Sequence, residues 1–466
     1  MSVQNTHHTP AEIAAALAGK TKLWFIGIGG IHMCTLALIS RARGFIVAGS
    51  DHAENESTAR LRHAGISVYP RHDAAQMAEF DAVIYTLAIT PDNPEYLAAK
   101  RLEIPVFSRA DYLGYLMHSY PSRIGIAGSH GKSTTTAMLG EIFDVAGRCP
   151  NVVCGAVMQR FGAPFVAGGG NDFIFEACEY GNSFLRLPPT LAVILNAELD
   201  HVDFFTDKAM LLRAFGTFAS GAQKTLVPSE DAALLAALPD TAEHVTFGFE
   251  KNADYRATDL AVNAGLCSFD LILPRGAVGR VTLGVAGVHN VKNALAAAAA
   301  ADLSGVDAAD ILVGLAGFRG AKRRMEYRGI FCGARVFDDY AHHPTEIAAT
   351  LRTARDMAAG GRVFAVFQSH TYSRTAAFFG DICTALATAD RVIVADIYPA
   401  REVDTLGMSA AGLAADIGGH AAYVGGISDI TAVLVRELAP GDLLVVMGAG
   451  DIDRIFGEFS KKHFTL

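Results

Sequence analysis

The chain has 466 residues, 51% of them hydrophobic, and its 39 basic and 48 acidic side chains give a net charge of -9. This balance disfavours a nucleic-acid-binding protein that relies on phosphate neutralisation, and seven cysteines without C-x-x-C spacing indicate neither a zinc site nor a disulfide framework. The polar N-terminus lacks the apolar core of a signal peptide and no run is suited to a membrane span, so we expect a cytoplasmic protein.

The first part of the chain alternates apolar runs with helical patterns, which predicts an α/β fold with parallel sheets. KLWFIGIGG is typical of a strand that runs into a glycine turn, and FIVAGSD is typical of a second strand. The dinucleotide-binding pattern G-x-G-x-x-G is incomplete, because its third glycine is replaced by His32. The turn still suits a nucleotide diphosphate, and a dehydrogenase remains an alternative that detectable NAD binding would favour.

A second glycine-rich turn, GIAGSHGKSTTT at 125–136, follows a predicted strand and opens a predicted helix. Gly128 and Gly131 allow backbone N–H groups to point inward, and the helix adds its positive end. Lys132 supplies a charge for phosphates, and Ser133 or Thr134 offers a hydroxyl to magnesium. The alternative is a structural turn with a solvated lysine.

Polar residues follow the next predicted strands. Glu176 ends the strand in IFEACEYGNSFL, where a carboxylate could ligate magnesium, and Glu179 is a weaker candidate. In AVILNAELDHVDFF, His201 follows a strand beside Asp200. An exposed glutamate and a structural histidine are the alternatives for Glu176 and His201.

Two asparagines three residues apart open a predicted alanine-rich helix in GVHNVKNAL. Asn290 and Asn293 share one helix face, and their amides match the donor and acceptor edge of adenine. A helix cap is the alternative for Asn290. Three further strands, in RVFAVFQSH, RVIVADIY and DLLVVMGAG, predict a third α/β unit, so we divide the chain at 1–118, 119–321 and 322–466.

The loop spelling G-x-H-G-K-[ST]-[ST] resembles the ATP loop of the Mur ligases, which join amino acids to the peptidoglycan precursor. The resemblance implies a Rossmann-like N-terminal domain, a central P-loop-type ATPase domain and a Rossmann-like C-terminal domain. It implies ATP and Mg²⁺ as cofactors. The implied ATP-binding residues are Gly128, Ser129, His130, Gly131, Lys132, Ser133, Thr134, Asn290, Asn293, Arg324 and Asp339, and the implied metal ligands are Ser133, Thr134, Glu176 and His201.

The segment D-D-Y-x-H-H-P-T-E resembles the branch of this family that acts on UDP-N-acetylmuramate itself. The resemblance implies an amino-acid site of Tyr340, His343, His370 and Arg374, with His370 and Arg374 at i and i+4. The family often has Q-P-H-R-Y-[ST]-R-T where this chain has Ser369 and Thr371, so one carboxylate contact is absent. The UDP-sugar contacts implied for the first unit are Gly27, Gly29, Gly30, Met33, Ser50, Asp51, Ser108 and Arg109, with a helix cap as the alternative for Ser108.

The implied reaction is ATP-dependent ligation of L-alanine to the UDP-N-acetylmuramate carboxylate through an acyl phosphate. The implied catalytic residues are Lys132, Glu176, His201, Arg324 and His343, the last as the base that deprotonates the amine. We expect a hinge near 321–323 and a monomer or weak homodimer with no nucleic-acid or membrane partner. Alternatives are a ligase that recycles a ready-made tripeptide onto the same sugar and a catalytically silent ATP-dependent scaffold.

Overall fold

Three β-sheets follow one another along the chain in a computed structural model that describes residues 3, 5–240, 243–400, 402–462 and 464–465. They contain five, ten and seven strands and confirm the α/β class. No helix within these described ranges combines the length and apolarity needed to cross a bilayer.

The N-terminal sheet is parallel throughout, with strand order β3-β2-β1-β4-β5. Its strands are β1 (Lys22–Ile26), β2 (Ile46–Ser50), β3 (Ser67–Tyr69), β4 (Ala82–Tyr85) and β5 (Val106–Ser108). Its helices are α1 (Pro10–Leu17), α2 (Ile31–Ala42), α3 (Glu56–His63), α4 (Ala74–Met77), α5 (Pro94–Arg101) and α6 (Arg109–His118). The strand order reverses between β1 and β4, which is where open α/β sheets bind ligands.

The central sheet has the order β15-β14-β13-β12-β11-β10-β6-β9-β7-β8. Its strands are β6 (Ser122–Ala127), β7 (Asn151–Met158), β8 (Ala163–Ala167), β9 (Asp172–Glu176), β10 (Leu191–Ile194), β11 (Lys224–Pro228), β12 (His244–Gly248), β13 (Tyr255–Asn263), β14 (Leu266–Leu273) and β15 (Gly276–Ala286). Its helices are α7 (Lys132–Val145), α8 (Lys208–Ser220), α9 (Ala232–Ala237), α10 (His289–Leu303) and α11 (Ala308–Gly317), with a 3₁₀ segment at Tyr180–Arg186.

The expectation of parallel sheets holds only for part of the central sheet. β13, β14 and β15 pair antiparallel, as do β7 and β8. The loop between β13 and β14 has two residues, Ala264 and Gly265, both with φ near the left-handed region at 48° and 81°. Two positive φ values in a two-residue loop match the twist of a hairpin, and an alanine in the first of these positions hides the signal in the sequence.

The C-terminal sheet has the order β20-β19-β18-β21-β17-β16-β22. Its strands are β16 (Glu326–Phe331), β17 (Ala334–Asp339), β18 (Val363–Phe367), β19 (Arg391–Val394), β20 (Ala421–Tyr423), β21 (Leu443–Met447) and β22 (Phe464–Thr465). Its helices are α12 (Pro344–Ala358), α13 (Tyr372–Ala377), α14 (Phe379–Leu386), α15 (Ala410–Ile417), α16 (Ile427–Glu437) and α17 (Ile455–Phe459), with a 3₁₀ turn at Ile452–Arg454. The hairpin from β16 to β17 again turns through two residues of positive φ, Cys332 and Gly333.

The apolar cores divide the molecule unequally. One buried cluster contains residues of both the N-terminal and central units, such as Leu116 and Phe173. The clusters of the C-terminal unit contain only its own residues. The first two units therefore share an apolar interior, whereas the third meets the central unit mainly through polar groups.

We expect Ala298→Leu to destabilise the protein by about 1–3 kcal/mol, because Ala298 is fully buried in α10 and extra methylenes would overpack the core. Ala415→Leu on the exposed face of α15 is the matched control and should change stability by less than about 0.5 kcal/mol. Urea unfolding followed by circular dichroism measures both. Equal midpoints for the two variants would contradict a fully packed α10.

Candidate functional site

The loop between β6 and α7 has the geometry of an anion-binding turn. Gly128 and Gly131 adopt φ of 128° and 83°, as the sequence predicted for a loop that curls inward. A Cβ on Gly131 would lie 2.5 Å from Oδ1 of Asn293. Both the backbone and the close neighbour therefore require glycine at 131, and α7 begins directly after it with its positive end toward the loop.

Lys132 folds back over its own loop. Its Nζ donates to the carbonyl oxygens of Gly128 at 2.5 Å and Ser129 at 3.0 Å, and it pairs with Glu179 at 3.0 Å. Burial alone would lower the pKa of Lys132, but Glu179 raises it above its ordinary value, so the side chain stays charged. The ammonium group is thus poised at the place where phosphates would lie.

Two oxygen ligands for a hard cation meet beside the loop. The Ser133 hydroxyl donates to Oε2 of Glu176 at 2.9 Å, and the Gly155 N–H donates to the same oxygen at 2.6 Å. A hydroxyl and a carboxylate at hydrogen-bonding distance are donors that suit magnesium. Thr134, which also carries a hydroxyl group, lines the adjoining cavity.

His201 meets Glu179 rather than Glu176. Its Nε2 lies 3.6 Å from Oε1 of Glu179, whereas we expected His201 and Glu176 to share an ion. Glu179 is 1% exposed, since the 3₁₀ segment that follows folds it inward. His201 itself has φ of 51°, an uncommon value for a residue other than glycine and one that clusters at functional sites.

A cavity of about 520 Å³ opens between the central and C-terminal units. Residues from both units line it, including His130, Thr134, Asn290, Asn293, Arg324 and Asp339. The Asn290 amide donates to the Ala286 carbonyl, and Asn293 donates to Asn290. The carboxylate of Asp339 accepts the N–H groups of Met325 and Ala341. Hydrogen bonds therefore fix these side chains within the cavity wall, and the same side chains line the cavity.

Arg324 reaches the same cavity from the C-terminal unit. Its guanidinium lies over the ring of Tyr340, 5.3 Å from the centroid. Burial alone would lower the pKa of Arg324, but Glu346 and Asp339 raise it. Tyr340 thus supports Arg324 beside the cavity. The ring of Tyr340 contacts this arginine rather than His370.

A buried ion pair joins the two units that form this cavity. Nη2 and Nε of Arg374 donate to Oδ1 of Asp200 at 2.8 and 3.0 Å, and both residues are less than 10% exposed. Burial would raise the pKa of Asp200, but His201 and Arg374 hold it far below its usual range. His370 precedes α13 instead of sharing it with Arg374, and its Nδ1 accepts from Arg374 at 3.2 Å.

Both ring nitrogens of His343 contact backbone groups in this structure. Its Nε2 lies 3.3 Å from the Leu199 carbonyl, which only a protonated nitrogen can contact favourably. Its Nδ1 accepts the Thr345 N–H at 3.4 Å as the N-cap of α12. Burial and His130 lower the pKa of His343. His343 therefore caps α12 in this structure, and its role as the base stays a prediction.

His130 is bracketed by two carboxylates that the sequence analysis did not single out. Its Nδ1 lies 3.1 Å from Oε1 of Glu346, and its Nε2 lies 3.5 Å from Oε2 of Glu198. Burial would lower the pKa of His130, but Glu346 and Glu198 raise it to about 9. Glu346 is the last residue of the quoted D-D-Y-x-H-H-P-T-E segment. Its presence in that segment was the signal in the sequence that could have pointed to a partner for His130.

A second cavity, of about 650 Å³, lies at the reversal of strand order in the N-terminal sheet and is lined by Gly27, Gly30 and Asp51. Gly29 lies behind it and donates its N–H to Asp51. Three other expected contacts pack against or bond to protein groups in this structure, and their part in binding stays a prediction. Met33 is 2% exposed in the core, Ser50 donates to Glu95 at 2.6 Å, and Ser108 accepts the Asp111 N–H as a helix cap.

Arg109 lies at the junction of the N-terminal and central units together with His32, which the sequence analysis noted only as a missing glycine. Nη1 of Arg109 donates to Nδ1 of His32 at 3.3 Å, which leaves Nε2 of His32 buried without a hydrogen-bond partner. Burial lowers the pKa of Arg109, which the nearby Cys178 and Glu176 oppose. Within the described ranges Arg109 forms no ion pair, so a guanidinium and a ring N–H remain available to an anion.

Comparison with known proteins covers nearly the whole chain. Sequence profiles match for the Mur ligase family catalytic domain over 22–121, the Mur ligase middle domain over 126–301 and the Mur ligase glutamate ligase domain over 323–450. The UDP-N-acetylmuramate–L-alanine ligase of Lachnospira eligens is 42% identical, over 92% of this chain and 96% of its own. The enzyme of the same name from Caldicellulosiruptor bescii is 40% identical, over 95% and 98%.

Solved structures have the same three-unit fold. The UDP-N-acetylmuramate–alanine ligase of Thermotoga maritima superposes with a TM-score of 0.82 at 28% identity, over 94% of this chain and 98% of that one. A murein peptide ligase from Psychrobacter arcticus superposes with a TM-score of 0.73 at 23% identity, over 95% and 98% of the two chains. The second likeness concerns the fold alone.

The contact of His130 with Glu346 predicts a pH-dependent stability. Because the pKa of His130 is raised to about 9 in the folded chain, its contribution is complete below the unfolded pKa of about 6.5 and is lost as pH rises through about 9. We expect the free energy of unfolding to fall across this window by at most on the order of 3 kcal/mol.

Glu346→Gln removes the principal charge that raises the pKa of His130, so its unfolding free energy should vary less between pH 6.5 and 9.5. Urea titrations of both proteins at matched ionic strength measure the difference. Parallel pH profiles for wild type and variant would contradict a protonated His130.

Proposed function

The chain belongs to the Mur ligase family, and on that premise we propose that it ligates L-alanine to the carboxylate of UDP-N-acetylmuramate at the expense of ATP. The proposal rests on the meeting of three features at the boundary between the central and C-terminal units, which we call the seam. They are the Lys132 loop, the acidic residues Glu176 and Glu179, and Arg374. The curated relatives that bear this activity in their names span the chain almost from end to end. With this activity, the protein would act in the cytoplasm.

The chemistry needs a way to activate a carboxylate, which is a poor acylating agent because oxide would have to leave. The muramate carboxylate attacks the γ-phosphate of ATP, the bond to the β-phosphate oxygen breaks, and an acyl phosphate and ADP form. The free amine of L-alanine then attacks the acyl carbon, phosphate leaves, and the amine loses a proton. The protein's part is to position the reactants and to neutralise phosphoryl charge.

The cations of the site are arranged for that task. Lys132 stands at the loop and Arg324 enters from the opposite unit, so developing charge on the γ-phosphate would be met from two sides. Asn290 and Asn293 face the same cavity and would meet the adenine, with Asp339 toward the ribose. Magnesium would supply further charge neutralisation, held by Ser133, Thr134 and Glu176, with Glu179 and His201 as a second pair.

We assign the three units to the three reactants. Residues 1–118 would hold the UDP-sugar in the cavity at Gly27, Gly30 and Asp51, 119–321 the nucleotide, and 322–466 the amino acid. L-Alanine would enter near His370 and Arg374, where a guanidinium suits an α-carboxylate. The linker at 321–323 would act as the hinge, and Arg323 within it and Met325 just after it both have positive φ.

His32 and Arg109 lie where the muramate carboxylate must pass on its way to the phosphates. They belong to the unit that carries the sugar cavity, and Glu176 of the phosphate site is near enough to influence the pKa of both side chains. Burial lowers the pKa of His32 to about 4, so it is a neutral donor at physiological pH. We assign this pair to the lactyl carboxylate of the sugar.

Phosphate release tests the activity. With ATP, magnesium and UDP-N-acetylmuramate, we expect release with L-alanine and none with L-Ala-γ-D-Glu-meso-diaminopimelate. Release with the tripeptide alone would keep the fold and the ATP site but assign the protein to recycling of cell-wall peptides. Lys132→Ala is the control and should lose about 3–4 kcal/mol of transition-state stabilisation. Turnover of that variant near the wild-type rate would contradict the ATP site.

Arg109→Gln should raise the KM for UDP-N-acetylmuramate by roughly tenfold or more, since a hydrogen bond to a charged group contributes about 1.5–3 kcal/mol. Affinity for UDP-N-acetylglucosamine, which lacks the lactyl carboxylate, should not change. His32→Gly provides the second variant and should act in the same direction. Equal losses for both sugars would assign Arg109 to the diphosphate instead.

A further inference from the structure

Three metal-ligating side chains converge at the edge of the nucleotide cavity, apart from the residues assigned to magnesium. His130, Glu198 and His343 each place one ligand atom within 4.8 Å of the other two. Nε2 of His130 and Nδ1 of His343 lie 3.5 and 4.0 Å from Oε2 of Glu198. Two ligands come from the central unit and one from the C-terminal unit, so an ion bound here would bridge the seam.

Each of the three ligands is oriented by a second hydrogen bond. Glu346 contacts Nδ1 of His130 at 3.1 Å, which directs the other nitrogen, Nε2, into the cluster, where it is buried without a hydrogen-bond partner. The Leu199 carbonyl accepts from Nε2 of His343, which directs Nδ1 toward Glu198. The Thr345 hydroxyl donates to Oε2 of Glu198 at 2.5 Å. Histidine ligands in metal sites are oriented in this way by carboxylates or backbone carbonyls.

The donor set selects the class of ion. Two imidazoles and one carboxylate suit Zn²⁺ and related transition metals, whereas Mg²⁺ prefers oxygen donors. Ligand atoms about 2.0–2.1 Å from zinc stand roughly 3.3 Å apart in a tetrahedron. Because the three ligand atoms lie within 4.8 Å of one another, the side chains need to draw together by up to about 1.5 Å. The N–H of Thr345, at 3.4 Å from Nδ1 of His343, is the weak contact that an ion would displace.

We propose that His130, Glu198 and His343 form a zinc-class metal site that links the phosphate-binding loop to α12. The site uses no cysteine, and so the spacing of the cysteines gave no indication of it. Its existence does not depend on the proposed ligase activity; only the consequence does. A bound ion would hold the loop against the C-terminal unit and would therefore inhibit any reaction that requires this unit to open.

Binding must compete with a proton. The pKa of His130 is raised to about 9, chiefly because Glu346 and Glu198 oppose the effect of burial, and a metal requires the unprotonated nitrogen. The carboxylates that face His130 come from both units, while His343 faces it as a neutral ring.

Calorimetric titration of the metal-free full-length protein with ZnCl₂, in the presence of millimolar magnesium, tests the site. We expect one ion per chain, with affinity at least about tenfold weaker in Glu198→Gln and in His343→Gln. The double substitution His7→Gln with His8→Gln is the matched control. These two histidines are exposed at the N-terminus, and their removal should leave the affinity unchanged.

Cobalt absorption provides a second readout that does not depend on affinity. Co²⁺ at the proposed site should give the intense visible bands of a tetrahedral ion in wild type, and these bands should be lost in Glu198→Gln. Circular dichroism confirms that the variants remain folded. Unchanged zinc affinity in both cluster variants, or a loss confined to the His7 and His8 control, would overturn the proposal.

Discussion

The buried ion pair between Asp200 and Arg374 is the contact on which the arrangement of the seam depends. Removing one partner of such a pair typically costs about 3–5 kcal/mol, because a charge is left buried without compensation. The N-terminal and central units share an apolar core, but the C-terminal unit has its own. Its position against the central unit therefore depends on this pair and on the charged contacts around it, and water can replace polar contacts of this kind more readily than an apolar core.

Charges at the seam are compensated within the protein itself. Lys132 pairs with Glu179, His130 with Glu346, and Arg374 with Asp200. Phosphates that entered the cavity would bring negative charge to a place where the cationic side chains are already paired with carboxylates. The loop lysine has to leave its contacts with the carbonyl groups to reach them, and divalent cations would offset the excess negative charge. Under the proposed function, a nucleotide in this cavity would meet His130, whose contact with Glu346 joins the central and C-terminal units.

The features that the sequence predicted are those that depend on a local pattern of residues. The glycines of the loop, Lys132 and Glu176 follow buried strands, and the carboxyl ends of neighbouring parallel strands meet at one edge of a sheet. The hairpin between β13 and β14 was missed because alanine occupies a left-handed turn position. Contacts such as Arg374 with Asp200, between residues 174 positions apart, arise from the packing of two units and have no local signal. The contact of Glu179 with His201 lies within the central unit, and it too joins residues that are distant in the sequence.

The backbone before α13 sets the direction of Arg374, although the segment departs at Ser369 and Thr371 from the pattern that the Mur ligases often have. Thr371 has φ of 67°, a strained value for a β-branched residue that costs on the order of 1–3 kcal/mol. Its N–H donates to Tyr398, its hydroxyl accepts from the Arg374 N–H, and its carbonyl accepts from Thr375. These bonds offset the strain and fix the first turn of α13, which directs Arg374 at Asp200. The direction of the guanidinium is therefore set by the turn, and it survives the loss of a basic side chain at position 371.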